Sequence, residues 1–296
     1  MLNLVHLNVL AAVARHGSVT EAARELHYSQ PSISHHLSRL ESATGVKLVQ
    51  RVGRGIRLTP EGHLLANRAA EIIGRVDAAT NELAAQVGLQ TGRVRLAANA
   101  SVLSTLVPKA VPMVTEAYPG IELSLVERHP VEALQMLRHG EIDVALIFRY
   151  AQAPVEADGF RLLHVCDDSI YLLSLQPGDS IANHRDSPWI GGCERCQEEV
   201  VNVCQSEGFS PRFASLSDDI IVVQSLVAAG VGVTTIPGFA LEAHHRPDIH
   251  STELTHFRRQ ICAVTYGEPP DPPATTALIE ALLEAGRQPR AQLSTR

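Results

Sequence analysis

The 296-residue sequence lacks several features that would assign it to common protein classes. It contains no apolar run of about 18 residues, the length that a membrane-spanning helix needs, and its first residues lack the basic segment of a secretory signal peptide. We therefore expect a cytoplasmic protein without a membrane partner. A P-loop, a G-x-S-x-G elbow and an H-E-x-x-H pair are also missing, so the sequence gives no support for an enzyme.

The five cysteines are an odd number, which does not indicate a disulfide framework in a cytoplasmic chain. Cys193, Cys196 and Cys204 lie close together in the sequence, but no fourth ligand follows at the spacing of a zinc finger. We predict no metal site. The helical spacing of Cys196 and Cys204 favours thiols buried in a core, while a thiol switch formed by these three cysteines remains an alternative.

Charge is distributed unevenly along the chain. Residues 1–92 carry nine Lys or Arg and seven Asp or Glu, whereas the remaining residues carry 16 basic and 25 acidic side chains. The net charge of the whole chain is −7. The basic part includes the cluster RVGRGIR at residues 51–57. This asymmetry indicates that only the N-terminal part meets a polyanion.

The first 45 residues predict three short helices. Gly17 has the position of a glycine that ends the first helix, and Ser18 with Glu21 has the spacing of a capping box that begins the second. Ser29 is a suitable N-cap for the third helix, and Pro31 falls in its first turn.

The third helix has two different faces. Ile33, Leu37 and Leu40 recur at helical spacing and face inward, while the opposite face carries small polar side chains. A narrow polar helix of this kind fits the major groove of DNA and can form hydrogen bonds there. The sequence thus predicts a helix-turn-helix, although a helical hairpin with a solvated polar face is the alternative. Two short strands, VKLVQ (46–50) and GIRL (55–58), predict a β-wing beside it.

These segments resemble the LysR family of bacterial transcriptional regulators. The resemblance is carried by GSVTEAA (17–23), SQPSIS (29–34), the Leu40–Glu41 pair, GVKL (45–48) and RLTPEG (57–62), in this order. It implies a set of residues that contact promoter DNA: Thr20, Gln30, Pro31, Ser32, Ser34, His35, Arg51 and Arg54. The family typically has Arg at the position of His35, and a neutral imidazole has one donor where a guanidinium has five.

A long helix follows, beginning at Thr59 and Pro60 and continuing to about residue 88. Its apolar positions are spaced alternately by three and four residues, which is typical of a coiled-coil seam. The seam predicts a dimer, or alternatively packing against the chain's own body, and similar proteins form dimers or tetramers here. The predicted dimerisation residues are Leu65, Ala69, Ile72, Val76 and Leu83.

The remaining two hundred residues alternate strands with helices, which predicts an α/β fold with ligands at the carboxyl ends of strands. The resemblance implies a two-lobed effector domain of the type 2 periplasmic-binding-protein fold. We thus expect a winged helix-turn-helix at residues 1–59, a linker helix and hinge at 60–92, and an effector domain at 93–296. Its first lobe would comprise 93–165 and 263–296, and its second lobe 166–262, with chain crossings near Val165–Asp168 and Cys262–Thr265.

A small organic effector is expected between the two lobes. Ser101 stands where a strand passes into a helix, and in similar proteins this position binds the effector. Where relatives often carry a hydroxyl residue this chain has Pro130, so His129 or Arg149 would substitute. The predicted effector-binding residues are Ser101, Ser104, Thr105, His129, Phe148 and Arg149.

The sequence therefore predicts a DNA-binding transcriptional regulator controlled by a small molecule, with no other cofactor. Two alternatives remain, a cytosolic small-molecule binding protein that has lost DNA binding, and a redox-sensing regulator that uses Cys193, Cys196 and Cys204.

Overall fold

A computed structural model describes residues 2–52, 55–86, 92–150, 159–267 and 269–289 of the chain. The N-terminal part is a three-helix unit followed by a two-stranded antiparallel wing and a long helix. Its elements are α1 (Leu4–His16), α2 (Val19–Glu25), α3 (Gln30–Thr44), β1 (Val49–Val52), β2 (Gly55–Leu58) and α4 (Pro60–Gln86). The predicted helix-turn-helix with a wing is confirmed.

Local signals set the boundaries of these helices as the sequence predicted. Gly17 adopts φ 59° and ends α1, and the Ser18 side chain accepts a hydrogen bond from the backbone N–H of Glu21 at the start of α2. The turn before α3 places His27 at φ 55°, and Ser29 caps α3 by accepting from the N–H of Ser32. The connection between α2 and α3 is therefore short and tightly fixed.

The start of α4 is bound to the wing. The Thr59 hydroxyl accepts from the N–H of Gly62 and donates to the carbonyl of Lys47. A Cβ added to Gly62 would lie 2.1 Å from the carbonyl oxygen of Leu48, so only glycine fits this close approach. The sequence TPEG thus joins the helix to the wing as well as beginning it.

The C-terminal part contains a six-stranded mixed sheet, in the order β4-β3-β5-β10-β6-β9, and a separate two-stranded parallel sheet of β7 and β8. The strands are β3 (Gly92–Ala98), β4 (Ile121–Glu127), β5 (Val144–Tyr150), β6 (Phe160–Ser174), β7 (Pro188–Gly191), β8 (Arg212–Leu216), β9 (Thr234–Pro237) and β10 (His250–Tyr266). The helices are α5 (Ala100–Leu103), α6 (Val107–Ala117), α7 (Pro130–Arg138), α8 (Glu194–Ser206), α9 (Ile220–Ala228), α10 (Gly238–Ala243) and α11 (Pro273–Arg287).

Two long antiparallel strands, β6 and β10, run through both lobes and join them. The first lobe has its core around β3, β5 and α11, and the second has separate cores around Trp189 and around α9. Within the predicted crossing at Val165–Asp168, residues 166–168 pair with Arg259, Gln260 and Ile261 of β10. The second crossing therefore lies a few residues earlier than the predicted Cys262–Thr265.

Helix α4 also touches the first lobe. A Cβ added to Gly74 would lie 2.7 Å from the Cα of Gly140, so the helix backbone packs directly on the turn after α7. The predicted hinge at residues 87–92 lies outside the described residues except for Gly92. None of the helices in the described ranges is long and apolar enough to cross a membrane.

Candidate DNA-binding surface and effector cleft

Helix α3 presents the two faces that its sequence predicted. Ile33, Leu37 and Leu40 are buried in the N-terminal core, which they share with α1 and α4. Pro31, Ser34 and His35 are exposed on the other side, and Ser32 is half-buried. The exposed face is free of large apolar side chains, so a DNA groove can approach it closely.

Gln30 and Thr20 form one unit at the tip of α3. The Gln30 side-chain amide donates to the Thr20 hydroxyl oxygen at 2.9 Å. This contact leaves the Gln30 carbonyl oxygen directed away from Thr20, where it is available as an acceptor. The two polar residues predicted separately are therefore brought together between α2 and α3.

The wing is held by a carboxylate from α3. Glu41 accepts hydrogen bonds from the backbone N–H groups of Leu48 and Val49, and it forms an ion pair with Lys47 at 2.7 Å. Although burial raises it, these hydrogen bonds keep the pKa of Glu41 below its ordinary value. Arg51 is exposed on β1, whereas Arg54 lies outside the described residues.

An imidazole cluster beside the recognition helix was not foreseen from the sequence. The rings of His6 and His36 lie 5.2 Å apart, Tyr28 is 5.4 Å from His36, and His35 is 6.1 Å from His36. Burial, followed by the charge of His36, lowers the pKa of His6. The four side chains come from α1, the turn before α3 and α3 itself, so no local sequence pattern predicts that they lie together.

The predicted seam of α4 divides into two parts. Ala69 is fully buried in the N-terminal core and is not available to a dimer, whereas Leu65 is half-buried beside that core. Ala69 was wrongly assigned because a heptad pattern does not distinguish a partner chain from α1 of the same chain. Ile72, Val76 and Leu83 are exposed, and Val76 borders an apolar groove with α1.

A cleft of about 540 Å³ lies between the two lobes. Ser101, His129 and Phe148 line it, as predicted. His129 reaches across the cleft, and its Nε2 lies 3.6 Å from Oδ2 of Asp218 in the second lobe. The volume is in the range of pockets that enclose small organic ligands.

The other three predicted effector residues lie elsewhere. Ser104 and Thr105 donate their hydroxyls to carbonyls in the preceding turn, those of Ala100 and Ser101, and do not line the cleft. Arg149 follows Phe148 on β5, and successive side chains of a strand point to opposite faces. It was therefore assigned to the wrong side of the sheet.

Arg259, which the sequence reasoning missed, forms the floor of the cleft. It is 2% exposed, its Nε donates to Asp168 at 2.8 Å, and its Nη2 donates to the Ser101 hydroxyl oxygen at 2.8 Å. Its guanidinium carbon also lies 4.9 Å from the centre of the Phe148 ring. In the sequence, the available sign of Arg259 was the basic pair Arg258–Arg259 before the apolar run QICAVTY. The pairing register of this strand, which decides where each side chain points, could not be known from the sequence.

Two cysteines line the cleft, and the other three are buried away from it. The sulfurs of Cys193 and Cys196 are 2.8 Å apart at the start of α8. A hydrogen bond from Cys196 lowers the pKa of Cys193 to about 7. Burial raises the pKa of Cys204 to about 12, and this thiol packs in the core of the second lobe. Cys193, Cys196 and Cys204, which the sequence suggested as one group, therefore do not meet at one site.

Known proteins match the chain over nearly its whole length. Residues 4–63 match the family described as "Bacterial regulatory helix-turn-helix protein, lysR family", and residues 88–287 match "LysR substrate binding domain". HTH-type transcriptional regulator TfdS of Cupriavidus pinatubonensis is 28% identical over 277 residues, which cover 88% of this chain and 90% of the relative. A probable hydrogen peroxide-inducible genes activator of Mycobacterium avium is 29% identical over 248 residues, which cover 79% of this chain and 78% of the relative. The crystal structure of full-length CbnR with its target DNA has a TM-score of 0.67 at 22% identity, covering 96% of this chain and 100% of that one.

Proposed function

The chain belongs to the LysR family of DNA-binding transcriptional regulators, and we propose that the outer face of α3 reads the major groove while a small molecule between the two lobes controls the outcome. The observation that carries the first part is the uncovered polar face of α3, which stands beside a wing bearing the exposed Arg51. A groove-binding helix needs small polar side chains at its N-terminal end, and α3 has them there.

Base contacts are assigned to the first two turns of α3. Gln30 offers its carbonyl oxygen because Thr20 holds the amide group, and Ser34 and His35 follow one turn later on the same exposed face. Arg51 on the wing meets phosphates, which position the protein without reading sequence. CbnR, which shares this fold, has been solved with its target DNA.

A second copy of the chain is the expected partner of the apolar groove between α1 and α4. Leu4 and Val5 on α1 and Val76 on α4 are exposed there, although they are apolar. Two copies related by a two-fold axis would cover these side chains and would present two α3 helices to a palindromic site. The exposure of Ile72 and Val76, which belong to the predicted coiled-coil seam of α4, also supports this interface.

The effector acts through the joint between the lobes. A ligand that binds both sides of the cleft changes their relative position in proportion to its preference for one arrangement. The backbone contact of Gly74 with Gly140 ties α4 to the first lobe, so a change in lobe position reaches the DNA-binding half through a packed contact. We propose that this occurs in the cytoplasm, where the chain meets promoter DNA.

DNA recognition is tested by selecting binding sites from random-sequence duplexes and measuring affinity by fluorescence anisotropy. Ser34→Glu places a negative charge on the groove face of α3 and should weaken binding at least tenfold, because it repels phosphates and obstructs the groove. Ser210→Glu adds the same charge to an exposed loop of the second lobe and should change affinity less than twofold. Equal losses in both variants would contradict recognition by α3.

A thiol-based function is the second candidate, favoured by the 2.8 Å separation of the Cys193 and Cys196 sulfurs. A pKa of about 7 makes a large fraction of Cys193 a thiolate at neutral pH, and the thiolate is the nucleophile. Hydrogen peroxide would accept two electrons from the two thiols, so that a disulfide forms and two waters leave. The Mycobacterium avium relative is named as a probable activator of hydrogen peroxide-inducible genes, so its name refers to the same oxidant.

Intact mass spectrometry tests this second candidate. Peroxide treatment should remove about 2 Da, for the two hydrogens lost on disulfide formation, and Cys193→Ser or Cys196→Ser should prevent it. Cys204→Ser should leave the loss unchanged, since that thiol is buried with a raised pKa. A loss that depends on Cys204, or no loss at all, would exclude the pair as the reactive site.

A further inference from the structure

We propose that the cleft takes a small organic cation, a primary amine attached to an apolar body, instead of a carboxylate. This inference names the ligand class of the effector site and rests on the function proposed above. Three carboxylates line the cleft, and in the described part of the chain Arg259 is the one Lys or Arg that does so. The carboxylates are Glu127, Asp218 and Asp219.

The positive charge of Arg259 is already balanced by a buried carboxylate. Asp168 accepts from its Nε through one oxygen and from the N–H of Phe239 through the other, so the buried ion pair is complete. Ser101 and the face of Phe148 occupy the remaining sides of the guanidinium. A carboxylate ligand would therefore compete with Asp168 for a guanidinium whose charge is already balanced.

The remaining carboxylates stand on opposite sides of the cleft. Glu127 ends β4 in the first lobe, and its side chain forms no hydrogen bond or ion pair within the described ranges. Asp218 lies just before α9 in the second lobe, where His129 is its neighbour at 3.6 Å. Asp219 differs from them because it caps α9 by accepting the N–H groups of Ile221 and Val222. Glu127 and Asp218 are thus the two carboxylates available to a ligand.

A buried acceptor at the floor points to a ligand that donates hydrogen bonds. Asn99 is 9% exposed and lines the cleft, and its Oδ1 has no hydrogen-bond partner. Its Nδ2 donates to the Ser101 hydroxyl oxygen at 2.8 Å. An ammonium has three N–H donors and no acceptor, so it satisfies this oxygen, whereas a carboxylate has acceptors alone.

The walls fit the apolar body of such a ligand. Val200, Val223 and Ile236 line the second-lobe side, and Phe148 lies on the floor. An amine held by Glu127 and Asp218 contacts both lobes at once, so binding favours the closed arrangement.

Thermal unfolding of the full-length chain at about pH 8 tests the assignment with three probes of matched size. These are 2-phenylethylamine, the neutral 2-phenylethanol and the anionic phenylacetate. At about ten times its Kd the amine should raise the Tm by roughly 3–6 °C, while phenylacetate should leave it unchanged. Glu127→Gln and Asp218→Asn keep the side-chain shapes and should each remove most of the shift. Glu253→Gln alters an exposed carboxylate outside the cleft and should retain it.

The outcomes separate this inference from the function on which it rests. A larger shift with phenylacetate than with the amine would overturn the charge assignment, yet it would still place an effector in the cleft. An amine shift that survives both cleft substitutions would also overturn it, because the amine would then bind elsewhere. If none of the three probes shifts the Tm, the inference fails, while selective DNA binding by the same sample would keep the regulator assignment intact.

Discussion

The ion pair between Arg259 and Asp168 should be a main determinant of the stability of the effector domain. Both side chains are buried, at 2% and 0% exposure, on the paired strands that join the two lobes. Arg259→Met removes the positive charge but keeps much of the side-chain volume. It leaves the Asp168 carboxylate buried without its partner, which costs about 3–5 kcal/mol. For a domain of this size the Tm should fall by roughly 6–20 °C.

A second substitution separates the loss of the pair from the loss of packing. In the double variant Arg259→Met with Asp168→Asn, no charge remains buried, and the asparagine can still accept from the N–H of Phe239. We expect the double variant to recover more than half of the loss, because the penalty comes mainly from the charge left unpaired. Urea unfolding followed by the fluorescence of Trp189 measures this, since the chain has one tryptophan and it is fully buried.

Two results would refute this reasoning. If Arg259→Met changed the free energy of unfolding by less than about 1 kcal/mol, the pair would be solvated in solution and would not hold the joint. If the double variant were as unstable as the sum of the two single variants, the residues would act independently. Either result would also weaken the argument that Arg259 is unavailable to an anionic effector.

Three further predictions concern other parts of the chain. Gly62→Ala should lower the Tm of the full chain by several degrees in a thermal scan, because its Cβ would lie 2.1 Å from the Leu48 carbonyl oxygen, whereas Gly55→Ala has room and should have little effect. Burial raises the pKa of Asp179, but hydrogen bonds outweigh this effect and lower the pKa to about 2. The contribution of Asp179 to stability is therefore complete above about pH 4 and is lost as the pH falls towards 2. In urea unfolding, Asp179→Asn should make the free energy of unfolding less dependent on pH over that window. His35→Arg should tighten binding to the selected DNA and steepen its dependence on salt by about one unit, which titrations at several salt concentrations would measure.

The features that could be predicted from the sequence are those set by neighbouring residues. Ser18, Ser29 and Thr59 begin helices because their side chains accept hydrogen bonds from the N–H groups three residues later, and such spacings are visible in the chain. The exposed face of α3 could also be predicted, because helical periodicity is visible in the sequence of α3 itself.

The features that could not be predicted depend on pairing between distant segments. Arg259 reaches Ser101 because β10 pairs with β6, in a register that places Arg259 opposite Asp168. Arg149 was chosen instead because its strand ends near the cleft, but one position along a strand reverses the side of the sheet. Ala69 failed in a similar way, since its periodicity was real and its partner was α1 of the same chain.

Equilibrium binding of the full-length chain to its selected DNA, measured against a duplex with both half-sites scrambled, tests the central claim most directly. The account predicts an affinity for the selected site at least about a thousandfold higher, falling linearly with the logarithm of salt concentration. It also predicts that Ser34→Glu removes most of this preference. Equal affinity for the two duplexes at every salt concentration would contradict sequence recognition by α3.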